Sequence, residues 1–461
     1  MMTKRTFALP PAWVLATVCL GYAMVVVDTT AVNVALPTIG DDLAGSVSGL
    51  QWVVDGYVLV FAALLVAGGS AGDWFGPAAV FAVGVAVFGA FSAACALATS
   101  LSTLIAARAL QGVGAALLAP ACLALIARTY AGDGPRRARA TAVFVTAAGS
   151  PQAFGPLLGG ALVQLGGWRA IFWINVPVAL VTCVAGLLLR GDERRSATPA
   201  RAGGHLLVLL AVAALTTVVS EAPERSVASV PVLVAGATFL ATAALLVRHE
   251  THVGHPAVAP ALLRPPVVIS IGVGSLLFAG YYGLTFVLSL LLQRGLGLGA
   301  FDTGLVMVAS ALGIFVLPLG SARLVRRYGA LALLRTGLLT ALVGALVLAI
   351  GGISRTDVRE TGLAILGVGV GLSVTPQITL TLDTSPAAAL AQASGVLNAA
   401  RQLGTVIGVA GLGALVTPEA DPRLVIAWAG CGAAALLALA LVATVATTGQ
   451  GRVPSPRSAE P

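Results

Sequence analysis

Long apolar segments, separated by short polar stretches, run through most of this 461-residue chain. Each segment is close to the roughly 20 residues that an α-helix needs to cross a bilayer. The pattern therefore predicts an all-α polytopic membrane protein with fourteen transmembrane helices, twelve being the alternative. The predicted spans are residues 13–35, 50–71, 78–99, 103–127, 141–163, 169–189, 204–221, 228–247, 267–292, 303–322, 330–352, 361–382, 391–416 and 424–447.

Composition and charge support this interpretation. The chain is 58% hydrophobic and 10% charged, whereas a soluble domain carries about 25% charged residues. Its net charge of +8 comes from arginines in short loops, a distribution that indicates orientation in a membrane rather than nucleic-acid binding. The arginine-rich loops predict that both termini are cytoplasmic, which requires an even number of spans. We expect a multi-pass, monomeric protein of the cell membrane.

Two positions in the first half of the chain recur in the second half at one spacing. Gly329 follows Gly76 by the same number of residues as Gly408 follows Gly155, and the surrounding sequences are similar. This repeat predicts two similar six-helix bundles with two extra helices between them. The predicted domains are an N-terminal bundle (1–190), a linker with two extra helices (191–266), a C-terminal bundle (267–447) and a disordered cytoplasmic tail (448–461).

Three ionisable residues of the first half lie inside predicted helices, where a charge is costly and therefore points to function. Asp28, Asp55 and Arg108 lie at similar depths in the first, second and fourth helices. They are predicted to form one proton-coupling cluster, in which proton uptake by a buried carboxylate rearranges the contacts. The alternatives are a static buried ion pair and, for Asp55, a helix cap.

Glycines and prolines in two segments predict close packing or bending of helices. Proline removes a backbone hydrogen bond inside a helix, and small residues let a neighbouring helix approach. These features suit a hinge between bundles, with ordinary tight packing as the alternative. The predicted conformational motif consists of Gly69, Asp73 and Gly76 after the second helix, and of Gly149, Pro151, Gly155, Pro156, Gly159 and Gly160 in the fifth.

Aromatic and polar residues among apolar surfaces predict a substrate site. Aromatic rings with a few polar groups suit a drug-sized amphipathic molecule. Packing or helix linking is the alternative role for each of them. The candidate substrate-binding residues are Asn33, Gln152, Tyr281, Tyr282, Gln377, Asn398 and Arg401.

Other chemistry finds little support in the sequence. The chain has no Gly-x-x-x-x-Gly-Lys loop to bind ATP and no serine, histidine and acid arrangement typical of a hydrolase. His249, His252 and His255 are regularly spaced in a predicted linker, but three such histidines are more typical of a solvated loop than of a metal site. We therefore expect no enzyme activity, no cofactor and no metal, with the proton-motive force as the energy source.

Five segments carry a family resemblance: Asp28 to Pro37, Trp52 to Tyr57, Arg108 to Gly114, Gly149 to Gly160 with its Gly-Pro-x-x-Gly-Gly core, and Trp168 to Pro177. Together they resemble the major facilitator superfamily and, within it, the fourteen-helix drug:proton antiporter family. The resemblance implies two bundles that rock around a central site, an arginine at the fourth-helix position that takes part in proton coupling, and an antiporter motif in the fifth helix.

One loop departs from the superfamily pattern. It keeps Gly69, Asp73 and Gly76, but Trp74 and the residues after Gly76 replace the usual basic positions. In the family this loop helps to hold the outward-facing state, so that contact is expected to be weaker here.

The sequence thus predicts a proton-coupled antiporter that exports small amphipathic drugs, antibiotics or secondary metabolites. Its expected partners are that substrate, protons and the lipid bilayer, without nucleic acid. Uptake of a metabolite by proton symport is the first alternative. A non-transporting membrane sensor or assembly protein is a remote one, because the sequence contains no sizeable soluble domain.

Overall fold

The computed structural model describes residues 10–130, 133–189, 228–252, 260–351, 355–385, 390–417 and 420–448, with single residues between 207 and 221. All regular secondary structure in these ranges is helical, which confirms the predicted all-α fold. The helices are α1 (Pro11–Asp42), α2 (Val47–Phe75), α3 (Pro77–Ala96), α4 (Leu101–Thr129), α5 (Gly134–Gly166), α6 (Arg169–Trp173), α7 (Asn175–Leu188), α8 (Val230–His252), α9 (Pro265–Leu290), α10 (Ala300–Tyr328), α11 (Ala330–Gly351), α12 (Thr356–Thr384), α13 (Leu390–Gly413) and α14 (Pro422–Thr448).

Ten helical segments in the described ranges are long and apolar enough to cross a membrane. Every predicted span except 204–221 overlaps a described helix. Only scattered residues of that span are described. Residues 190–206, 222–227 and 253–259 of the linker, which include His255, and the tail after Thr448 lie outside the described residues. The count of fourteen and the domain limits therefore stay predictions.

Several helices differ in extent from the prediction. The helix α5 begins at Gly134 and α10 continues to Tyr328, because polar residues extend both helices beyond the apolar part. The predicted span 169–189 is divided into α6 and α7 at Ile174. Pro177 explains the division, since it has no N–H to bond the carbonyl four residues earlier. A short π-helix, Leu291–Gly295, follows α9.

The two halves pair their helices in the same way. In the first half α1 packs on α5, α2 and α3 on α4, and α3 on α7; in the second half α9 packs on α13, α10 and α11 on α12, and α11 on α14. Gly76 and Gly329, in the matched loops, have φ of 86° and 84°, a region that glycine adopts without steric penalty. The repeat in the sequence thus corresponds to a repeat in backbone geometry.

The two bundles meet toward the end of the molecule at which α1 finishes, which we call the Asp42 end. There α2 packs on α13 and α5 packs on α10. A Cβ at Gly160 of α5 would lie 2.7 Å from the Cα of Phe301 in α10. Toward the opposite end, Gly320 of α10 is exposed and faces open space. The space between the bundles is therefore closed at the Asp42 end.

Candidate functional site

An ion pair lies inside the N-terminal bundle. The side chains of Asp28 on α1 and Arg108 on α4 are 0% and 1% exposed. Arg108 donates from Nη1 to Asp28 Oδ2, and also to Gln111 Oε1 at 2.8 Å. Its Nε donates to the carbonyl of Val53 on α2 at 3.1 Å. Each charge is thus neutralised by the other, as a buried charge requires.

Neutral side chains complete the network around Asp28. Its Oδ1 accepts from Gln111 Nε2 at 3.1 Å and from Asn175 Nδ2 at 2.8 Å. Asn175, on α7, also donates to Ser92 Oγ on α3 at 3.1 Å. Five helices, α1 to α4 and α7, are therefore joined by the hydrogen bonds around this ion pair, so a change in the charge of the carboxylate alters contacts between them.

Aromatic rings cover the guanidinium group of Arg108. Its central carbon lies 4.2 Å from the centre of the Tyr57 ring and 5.8 Å from that of Phe172. These are cation–π distances. The rings exclude water from the ion pair and strengthen its electrostatic interaction.

Asp55 does not join this network, so the prediction of a single three-residue cluster is wrong in this respect. The Tyr57 ring of α2 contacts Arg108, and a side chain two positions earlier points about 200° around the helix from it. Asp55 is fully buried, and neither carboxylate oxygen accepts a hydrogen bond from any described residue. The cap alternative also fails, because Ser46 is the N-cap of α2 and Asp55 lies well inside the helix.

A small pocket lies between the two bundles, and two of its lining residues, Thr30 and Asn33, follow Asp28 on α1. It is partly open. Three predicted substrate residues line it, and Asn33 Oδ1 has no hydrogen-bond partner among the described residues. Its lining residues are Thr30, Asn33, Pro156, Tyr281, Tyr282, Thr285, Met307 and Ser310. The sequence analysis missed Thr30, Thr285, Met307 and Ser310, because hydroxyl and thioether side chains in a membrane helix carry no charge that would mark them.

Among the other predicted substrate residues, those with described side chains are not part of the pocket lining. Gln377 and Arg401 are buried and contact each other. Asn398 is exposed and is not part of the pocket lining. The side chain of Gln152 lies outside the described part of the structure. The pocket thus unites only some of the residues chosen from sequence.

The glycines of α5 allow it to contact both bundles. A Cβ at Gly155 would meet Thr30 of α1, and one at Gly159 would lie 2.7 Å from the Cα of Ala31. Thr30 Oγ1 also reaches the carbonyl of Pro151 at 3.4 Å. These contacts favour tight packing, rather than a hinge, as the role of the α5 glycines. Gly160 faces α10 in the same way.

The remaining positions of the predicted conformational motif carry less information. Gly69 faces Pro120 at 3.9 Å, and Gly76 ends α2 with its positive φ. Gly149 lies within α5. The side chain of Asp73 lies outside the described set, so its predicted contact stays a prediction.

Two hydrogen bonds join the bundles near the Asp42 end. Pro37 lacks the N–H that would bond the carbonyl of Asn33 within α1. Ser289 Oγ of α9 donates to this carbonyl at 2.8 Å, and Gln293 Nε2 donates to the next one, of Val34, at 2.8 Å. We call Ser289 of α9 and Gln293 of the π-helix that directly follows it the α9 latch. They satisfy α1 carbonyls from the opposite bundle.

The sequence model of the Major Facilitator Superfamily matches residues 18–409. The chain belongs to the Major Facilitator Superfamily. It is 33% identical to the methylenomycin A resistance protein of Bacillus subtilis, over 87% of this chain and 87% of that protein. It is 36% identical to the cephamycin export protein CmcT of Amycolatopsis lactamdurans (88% and 85% covered) and 34% identical to the multidrug efflux pump LfrA of Mycolicibacterium smegmatis (88% and 81% covered).

Solved structures agree on the fold. A peptide transporter POT in complex with sulfate superimposes with a TM-score of 0.68 at 17% identity, covering 95% of each chain. At this identity the similarity concerns the fold alone. The resemblance inferred from the sequence motifs is confirmed at the level of the superfamily, and the relatives include resistance and efflux proteins.

Proposed function

We propose that this protein exports small amphipathic molecules, such as drugs, antibiotics or secondary metabolites, across the cell membrane in exchange for protons. The buried pair of Asp28 and Arg108 is the observation that carries the proposal, together with a pocket shared by both bundles, whose lining includes Thr30 and Asn33 of the same helix as Asp28. An ionisable group inside the membrane is a functional group by default. The printed functions of the relatives, resistance and export, support the direction of transport. The proton-motive force drives the cycle without ATP.

The placement of arginines in the loops supports cytoplasmic termini and hence an outer location for the Asp42 end. Closure at that end then corresponds to an inward-facing state, in which substrate enters from the cytoplasm or the inner leaflet. The α9 latch holds this state by joining α1 to α9.

Proton binding to Asp28 is the coupling step. A protonated carboxyl group no longer neutralises Arg108 and donates one hydrogen bond where the carboxylate accepted only. The bonds from Gln111 and Asn175 must then rearrange. Because Asp28 and the carbonyls bound by the α9 latch belong to the same helix, rearrangement at one affects the other. Asp55, buried without a donor, is a second site for a proton.

Proteoliposomes with an imposed pH gradient test this proposal. A substrate from the resistance spectrum of cells that express the protein should move against its gradient when protons flow in the opposite direction. Asp28→Asn should abolish this gradient-driven flux and keep substrate exchange at equal pH, since the pocket is retained. Unchanged gradient-driven flux in Asp28→Asn would refute the role of Asp28. Movement of substrate in the same direction as protons would favour the symport alternative.

A further inference from the structure

A buried arginine in the C-terminal bundle has no acidic partner among the described residues. Arg401, near the middle of α13, is 7% exposed. Both of its hydrogen bonds leave from Nη2, one to Gln377 Oε1 and one to the carbonyl of Val374 at 3.3 Å. Its Nε has no partner among the described residues. A cation this deep in a membrane protein is normally paired, so the site lacks a negative charge.

No nearby carboxylate of this bundle is available to supply that charge. Within the described part of the C-terminal half, every acidic residue is exposed, and none forms an ion pair with Arg401. These residues are Asp302, Asp357, Glu360, Asp383 and Asp421. The arrangement contrasts with Arg108, whose charge is balanced by Asp28.

Neutral residues nevertheless hold Arg401 in a defined position. Gln377 Nε2 donates to the carbonyl of Ser270 at 2.9 Å and lies 3.3 Å from Thr381 Oγ1. The hydroxyls of Ser270 and Thr381 are 2.7 Å apart. These bonds fix the amide of Gln377 with its oxygen toward the guanidinium group. The cation is therefore oriented in advance but not neutralised, as a binding site for an anion requires.

An aromatic surface leads from Arg401 to the pocket. The guanidinium carbon lies 5.0 Å from the ring centre of Phe278 on α9. That ring is 5.6 Å from Tyr282, which is 5.1 Å from Tyr281. Both tyrosines line the pocket between the bundles. A molecule with an apolar ring and an acidic group fits this order of side chains.

We propose that Arg401 binds the carboxylate of the exported molecule, so that the substrates are amphipathic organic acids. This inference rests on the proposed export function. A guanidinium group binds a carboxylate through two parallel hydrogen bonds, and the ring system of the substrate packs on Phe278 and Tyr282. An acid is then bound better than its amide, and an amine is repelled.

Matched probes test the acid preference directly. Binding of phenylbutyrate, naphthylacetate and indolepropionate, each paired with its primary amide, is measured by calorimetry on the purified full-length protein. The acids should bind about 10- to 100-fold more tightly than the amides, as expected for hydrogen bonds to a buried charged group. Arg401→Gln should remove this preference, and Arg401→Lys should retain part of it.

Arg335 provides the matched control. It belongs to the same bundle, is half-buried, and donates from Nε to Thr444 Oγ1 at 3.1 Å and from Nη2 to the carbonyl of Thr444 at 2.9 Å. Arg335→Gln therefore removes an arginine with neutral partners and should leave the acid preference unchanged. If Arg401→Gln lowers the unfolding temperature, the comparison rests on Arg401→Lys, which should bind acids less tightly than the wild type and still better than amides.

The outcomes separate the two proposals. Equal affinity of the wild type for acids and amides, or an acid preference that survives in Arg401→Gln, overturns the anion site. If a pH gradient drives the flux of the neutral probes as well as that of the acids, the anion site is also overturned, while the export proposal stands. Arg401-dependent acid binding without any gradient-driven flux supports the anion site and overturns the export proposal.

Discussion

The α9 latch makes a quantitative prediction about the balance between conformations. Ser289 and Gln293 each donate one hydrogen bond of 2.8 Å to an α1 carbonyl near Pro37. A hydrogen bond of this kind contributes about 0.5–1.5 kcal/mol net. Removal of both in Ser289→Ala/Gln293→Leu should therefore destabilise the closed Asp42 end by about 1–3 kcal/mol, which shifts the equilibrium about 5- to 150-fold toward opening there.

Spin labels at Leu97 and Leu424 measure this shift. Both side chains are exposed (66% and 58%), and they lie at the Asp42 end of α3 and of α14. Cys431, the exposed cysteine of the described ranges, is replaced by serine in the background. Pulsed electron resonance should show a longer distance between the labels in the double variant than in the unchanged background.

Two further variants make the prediction specific. Ser373→Ala removes a buried hydroxyl that bonds only within α12, to the carbonyl of Gly369 at 2.8 Å, and should leave the distance unchanged. Pro37→Ala restores an N–H for the carbonyl of Asn33, so Ser289→Ala should have a smaller effect in that background. An unchanged distance in the double variant, or equal effects of Ser289→Ala with and without Pro37, would refute the reasoning.

Three more outcomes follow from the packing and hydrogen bonds. Asn175→Ala removes a donor to the buried carboxylate and should lower the free energy of unfolding by about 1.5–3 kcal/mol. The measurement is denaturant unfolding in detergent, and an unchanged free energy would contradict the hydrogen-bond network around Asp28. Gly159→Val should destabilise the protein by about 1–3 kcal/mol, since a Cβ there would lie 2.7 Å from the Cα of Ala31. Gly320→Val, at an exposed position that faces open space, should have a smaller effect. Asp55→Asn should leave the unfolding temperature unchanged and should reduce the number of protons released per substrate molecule bound. A pH electrode in weak buffer measures this number, and a value equal to that of the wild type would exclude Asp55 as a proton site.

Sequence patterns predicted the helices and the partnership of Asp28 with Arg108, because the length of an apolar segment and a charged residue inside it can both be recognised in the sequence alone. The network around them was not predictable in this way. Asn175, Gln111 and Ser92 are neutral, and such residues occur throughout membrane helices without special meaning. Their role depends on three-dimensional contacts among α3, α4 and α7, which no spacing within one helix reveals.

The separation of Asp55 from the ion pair illustrates a second limit. Depth along the membrane normal placed Asp55 beside Asp28 and Arg108, and depth was a sound guide for the latter two. Direction around the helix decided the outcome, since the Tyr57 ring contacts Arg108 of α4 and Asp55, two positions earlier, points about 200° around the helix from it. Predicting this from sequence requires knowledge of which face of α2 meets α4.

The two bundles share a fold but not their chemistry. Tyr281 follows Asp28 by the same interval that separates Gly329 from Gly76, so the position that carries the carboxylate in α1 carries a pocket tyrosine in α9. In the proposed cycle, protons bind in the first bundle, whereas substrate contacts the aromatic and cationic side chains of the second. Proton and substrate then do not compete for one residue, and coupling between them must pass through the contacts that join the bundles, which include those of α1 with α9, α2 with α13 and α5 with α10. The hydrogen bond from Ser289 to the carbonyl of Asn33 is one such contact, which is why its loss should weaken the coupling of proton flow to transport while both binding sites remain intact.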